Sequence, residues 1–223
     1  MTPPALVRHR RRRALAGALG GLLACAGVLA APQGALLRPA WAQEAAARAG
    51  AGERVGRAAP PVRLEDPGGK ALDLAQVRGK VVVLEWIAAT CPYVAKYRER
   101  HDVVPALAKK YREHGVVWWT VASGREADRE RLRRARERLR LEQPILLDPT
   151  GRVARAYGVE RTPHVVVLDA RGVLRYEGAI DDDASIGYLG RTNYLDRALA
   201  AVLADAPVEP EVIEAHGCPL PID

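Results

Sequence analysis

The feature that most constrains this chain is the stretch Lys80–Tyr97, KVVVLEWIAATCPYVAKY. Val81, Val82, Val83 and Leu84 form a continuous apolar run, the pattern of a strand covered on both faces. Pro92 suits the first turn of a helix, where a backbone N–H has no partner in any case. Cys91 therefore falls at the junction of a buried strand and a helix N-terminus. Free backbone N–H groups and the helix dipole at such a place favour a thiolate, the nucleophilic form of cysteine. Taken alone, the position also suits an inert, half-buried small apolar residue.

The 223 residues suffice for one ordinary domain and a leader. The formal charge of +7 is concentrated at one end. Residues 1–42 carry six arginines and no acid, which leaves 28 basic against 27 acidic residues in the remainder. The charge therefore does not argue for nucleic-acid binding. A basic segment, RHRRRRAL, precedes uncharged Ala14–Ala31, and Ala40-Trp41-Ala42 matches a small-x-small cleavage site. Residues 1–42 read as a cleaved export signal, with Gln43 as the mature N-terminus. The arginine run is compatible with twin-arginine export. A lipid anchor at Cys25 and an uncleaved membrane anchor are the alternatives, and the membrane is a partner only through them. After cleavage Cys91 and Cys218 remain, a candidate pair in an oxidising compartment.

Residues 43–59 read as a flexible leader, 60–205 as one domain and 206–223 as an irregular tail carrying Cys218. Val62–Leu64 and Ala71–Leu74 flank the turn Asp66-Pro67-Gly68-Gly69, which predicts a hairpin. A helical pattern covers Val94–His114, with Pro105 predicting a break near His101–Val104 and Gly115 ending it. Further strands are predicted at Val116–Ala122, Pro144–Leu147, Val165–Leu168 and Val173–Glu177. Helices are predicted within Glu126–Leu141, at Arg152–Tyr157 and at Asn193–Leu203. Acids interleave with the arginines of Glu126–Leu141, so that segment reads as a solvated helix laced with ion pairs. Asp181-Asp182-Asp183 reads as a solvated turn. The order of elements implies an α/β layered domain around a central mixed sheet.

Taken together, Val83-Leu84-Glu85-Trp86, Cys91-Pro92-Tyr93-Val94, Tyr157-Gly158-Val159, Thr162-Pro163-His164, Gly178-Ala179-Ile180-Asp181-Asp182, Asn193-Tyr194-Leu195 and Gly217-Cys218 resemble the thioredoxin-like superfamily. The resemblance is to its peroxiredoxin-like branch, of the alkyl hydroperoxide reductase C and thiol-specific antioxidant type, among exported redoxin-domain proteins. It implies a thioredoxin-like fold, a central mixed β-sheet flanked by helices, with an N-terminal hairpin and an irregular C-terminal tail. It also implies a thiol-dependent oxidoreductase of the cell envelope acting on a peroxide or a disulfide, with an external thiol as reductant and no cofactor. Cys91 stands where the attacking cysteine of the superfamily stands. Val94 occupies the place of the second cysteine of a Cys-x-x-Cys motif, and Ala88 stands where peroxiredoxins carry threonine. Glu85 matches the buried acid below the thioredoxin active site, a candidate to pass a proton to or from sulfur; the alternative is an acid paired with a lysine or arginine. Thr162 and Pro163 match the cis-proline loop that faces the cysteine and binds extended peptides. Arg161 and Arg125 are candidates to stabilise the thiolate. Cys218 is the candidate resolving thiol. A non-catalytic binding protein, a metallochaperone using His216 and Cys218, and a membrane-held interaction module are the competing functional readings.

Overall fold

The computed structural model describes residues 52–222; the expected export signal (residues 1–42), Cys25, Gln43 and residues 43–51 lie outside the described residues. The first elements are β1 (Arg63–Glu65) and β2 (Ala71–Asp73), an antiparallel hairpin with Leu64 opposite Leu72. The Asp66 carboxylate shapes its turn by accepting from the N–H groups of Gly68 and Lys70.

Next come β3 (Val82–Trp86) and a short helix, α1 (Pro92–Ala95), which widens into a π-type turn over Lys96–Arg100. The break predicted from Pro105 lies at His101–Asp102, where Asp102 adopts φ 52°, and α2 (Val103–Arg112) starts beyond it. Pro105 sits in the first turn of α2, where its missing N–H costs nothing. β4 (Val117–Ser123), α3 (Arg129–Ala135), β5 (Ile145–Asp148), α4 (Arg152–Ala156), β6 (Arg161–Thr162), β7 (His164–Leu168), β8 (Leu174–Gly178) and α5 (Tyr194–Leu203) follow. α5 begins at Asn193, whose side chain accepts from the Asp196 N–H.

The main sheet has the order β2-β1-β5-β4-β3-β7-β8 and ends in a short strand, β9 (Val212–Ile213). β3, β4 and β5 run parallel; β7 is antiparallel to β3. This is the mixed sheet of a thioredoxin-like fold. As the unbroken apolar run of β3 requires, its two faces bury different sets. Val83 packs with α2 and α5 through Val104, Leu107, Tyr111, Leu195 and Leu199. Val82, Leu84 and Trp86 pack on the other face with Trp119, Val153 and Tyr157.

Two segments differ from the sequence reading. The described part of the leader lies against β8: the Gly56 N–H donates to the Leu174 carbonyl, and the buried Arg54 guanidinium pairs with Glu177 at 3.0 Å. The tail is not irregular throughout. It supplies β9 and β10 (Cys218–Pro219), which forms a separate two-stranded ribbon with β6. Both attachments are long-range pairings of very short segments, which local periodicity does not reveal.

Candidate active site

β3 ends at Trp86, and Ile87–Thr90 carries the chain to Cys91 at the start of α1. Both backbone groups of Ala89, two residues before the cysteine, are held from outside. Its N–H donates to the buried Glu126 carboxylate at 2.8 Å, and its carbonyl accepts from Arg138 at 2.8 Å. Arg131 and Glu99 in turn fix those two side chains. The loop that presents Cys91 is thus clamped from both ends of α3, by Glu126 in the turn before it and Arg138 in the turn after it. The sequence reading missed Glu126 and Arg138 because both sit in a segment whose charges alternate like those of a solvated surface.

Cys91 is bonded to Cys218, with Cα atoms 5.9 Å apart across 127 residues of sequence. Cys91 is 3% exposed and lies among Ile87, Ala88, Ala89 and Val94, while Cys218 is only partly buried beside this cluster. The Cys91 Sγ is also 3.2 Å from the Thr162 carbonyl oxygen. The Thr162–Pro163 peptide bond is cis, the geometry the resemblance implies. Cys91, Cys218, Thr162 and Pro163, dispersed in sequence, therefore meet at one place.

Glu85, the penultimate residue of β3, is held by partners of its own. Its carboxylate accepts from Arg98 Nε at 2.9 Å, from Arg98 Nη2 at 2.5 Å and from the Trp118 indole N–H at 3.1 Å. Both charged side chains are at most 1% exposed. Arg98 also donates to Thr120 Oγ1 and to the carbonyls of Leu139 and Arg140. The structure therefore gives Glu85 the paired-acid arrangement, its lone pairs directed at donors that hold two layers together. Lys96, one turn away from the cysteine, is likewise fully buried. It donates to the Asp183 carbonyl at 2.7 Å and lies 3.5 Å from the Asp181 carboxylate. Asp181 is 3% exposed and accepts from the Tyr97 hydroxyl at 2.6 Å, so it is a buried anchor within the expected solvated turn. Desolvation, and then the bond to Asp181, raise the Tyr97 phenol well above its ordinary pKa.

His164 follows the cis-proline and is buried at the edge of a pocket of about 490 Å³ shared with Arg54, Arg161 and Glu177. Its Nε2 has no hydrogen-bond partner, and burial, assisted by the Arg54 charge, pushes its pKa down to about 4. Of the two arginines considered for the thiolate, Arg161 donates its Nη1 to the Gly217 carbonyl at 3.1 Å. Arg125 is exposed, and its backbone N–H donates to the Pro221 carbonyl. Among the described residues no three His, Cys, Asp or Glu side chains converge as metal ligands. Among these residues, too, no helix is long and apolar enough to cross a membrane.

A cysteine at a strand-to-helix junction, facing a cis-proline loop on a mixed sheet, defines the thioredoxin-like class. The Redoxin family's sequence model matches residues 54–188, and the chain belongs to that family. A crystal structure of a hypothetical protein from Sinorhizobium meliloti is 27% identical, with a TM-score of 0.66, covering 76% of this chain and 94% of that one. A conserved uncharacterised protein from Geobacillus kaustophilus is also 27% identical, with a TM-score of 0.67 and coverage of 74% and 90%. A thiol:disulfide interchange protein of the thioredoxin family from Chlorobium tepidum shares the fold at 18% identity, with a TM-score of 0.50 and coverage of 66% and 95%. No curated protein sequence matches the chain.

Proposed function

We propose that this chain is a thiol-disulfide oxidoreductase of the cell envelope that cycles between a Cys91–Cys218 disulfide and the dithiol. The observation that carries the reading is the disulfide itself, closed beside the cis-proline loop by two cysteines 127 residues apart. In the forward cycle the Cys91 thiolate attacks one sulfur of a substrate disulfide. A mixed disulfide forms and one substrate thiolate leaves, taking a proton from solvent. The Cys218 thiolate then attacks the Cys91 sulfur, expels the second substrate thiol and closes the internal disulfide. Two equivalents of an external thiol reopen it and leave as their own disulfide.

Disulfide exchange is favoured over peroxide reduction because Ala88 has no hydroxyl to hold a peroxide at the position three residues before Cys91. Thr162 and Pro163 are the substrate-binding loop in this reading, and Glu85 is a structural partner of Arg98 rather than a proton carrier. Location in the envelope rests on the N-terminal sequence pattern and on the need for an oxidising compartment to maintain such a disulfide. Residues 1–42 are then the cleaved signal, and the redoxin domain occupies the remainder with its leader and tail.

The test is turnover of a small-molecule disulfide and of a hydroperoxide by the purified chain. Cys91→Ser abolishes both. Cys218→Ser accumulates a mixed disulfide on Cys91, read as a mass increase that thiol reductant reverses. Turnover surviving in Cys91→Ser refutes the proposal. An envelope fraction whose protein begins at Gln43 supports the location, and an intact N-terminus opposes it.

A further inference from the structure

We propose that residues 216–219 of the tail are a redox-controlled strap over a peptide-docking edge, and that the partner admitted when it lifts is an extended segment with glycine before its cysteine. This rests on the redox cycle of Cys91 and Cys218 proposed above.

Three observations carry it. First, the tail is seated on the cis-proline loop as an added strand: Cys218 pairs with Thr162 and Pro219 with Arg161, antiparallel. The Leu220 N–H donates to the Glu160 carbonyl at 2.8 Å, and Arg161 binds the Gly217 carbonyl. The backbone edge that a partner strand would use is thus taken by the chain's own residues. Second, the register is fixed by space. A Cβ at position 217 would lie 2.0 Å from the Thr162 carbonyl oxygen and 2.6 Å from its carbon, both backbone atoms that cannot swing aside. Any strand in this register therefore needs glycine immediately before the residue that meets Cys91. Third, the tail is fastened on both sides of the strap. Upstream, the Ala179 N–H donates to the Ile213 carbonyl; downstream, the Arg125 N–H donates to the Pro221 carbonyl, and Ile222 fits against Gly151. The strap itself holds to β6 by a ribbon only two residues long. The disulfide is its one covalent hold, and reduction leaves a short arch, paired to β6 over two residues, between two anchors.

The probe is a labelled synthetic peptide of residues 213–222 carrying Cys218→Ser, so that it binds without covalent chemistry. Its binding is measured to the purified full chain, with the disulfide state read by intact mass after thiol alkylation. The oxidised chain is expected not to bind it. The reduced chain binds it in competition with its own strap, a tethered copy at an effective concentration on the order of millimolar. A reduced Gly217→Ala chain, whose strap cannot reseat, binds it at least tenfold more tightly, and a probe carrying Gly217→Ala does not bind any form. Equal binding to oxidised and reduced wild-type chain overturns the strap, as does a probe indifferent to the glycine. A chain that never forms the disulfide overturns the redox cycle and the strap together. A disulfide that forms while the probe still binds overturns the strap alone.

Discussion

Replacing Arg98 by methionine removes the partner of a carboxylate that has nowhere to go. Glu85 is 1% exposed on a central strand and accepts two bonds from Arg98 and one from Trp118. In Arg98→Met only the indole N–H remains. Breaking a buried pair from one side costs about 3–5 kcal/mol, because the surviving charge stays desolvated. At roughly 2–4 °C per kcal/mol for a domain of this size, the melting temperature falls by on the order of 10 °C. The double variant Glu85→Leu with Arg98→Met removes both charges and regains most of the loss. It stays about 1–2 kcal/mol below wild type, because the Leu139 and Arg140 carbonyls lose their donor. Urea unfolding of the three proteins measures the stabilities, and disulfide turnover of the double variant separates the two roles of Glu85. A paired structural acid predicts retained turnover once the fold is restored. A double variant no more stable than Arg98→Met refutes the energetic argument. A stable but inactive one refutes the structural role and returns Glu85 to proton transfer.

Three other outcomes follow from the same geometry. The disulfide closes a loop of 127 residues, and chain entropy assigns such a closure ~5 kcal/mol; reduced and oxidised chains are expected to differ by that order in urea unfolding, and coincident curves would contradict it. His164 has its folded pKa held at about 4 by burial, below the ordinary 6.5. The unfolded chain therefore binds the extra proton first as pH falls, so stability is lost between pH 6.5 and about 4, by about 3 kcal/mol, and levels off below. His164→Phe should flatten that window, and an unchanged pH profile would show that another group sets it. Glu126→Gln keeps an acceptor for the Ala89 N–H and should preserve turnover, while Glu126→Ala frees the loop before Cys91 and lowers turnover about tenfold with little change in substrate KM; equal activity of the two would remove Glu126 from the positioning of Cys91.

What the sequence made visible, and what it hid, divide along the range of the interactions. β3 was legible because burial on both faces leaves an unbroken apolar run, and the break before α2 because Pro105 lacks a donor that an uninterrupted helix would need. The position of Cys91 and the Thr162–Pro163 loop came from local patterns combined with family likeness, and they meet in space. Arg98 and Lys96 were hidden because a lysine or arginine in a helical run reads as solvated. Their burial depends on partners on other elements: Glu85 on β3, and Asp181 in the loop after β8. The tail was hidden for the same reason in a stronger form. A strand of two residues has no period to detect, and proline on both sides of Leu220 reads as irregular chain. Gly217 is the one local trace: it has no need of a positive φ, and its missing side chain is explained only by the Thr162 carbonyl pressed against it. A glycine that no turn requires marks a close approach of two backbones, and here that approach places Cys218 against Cys91.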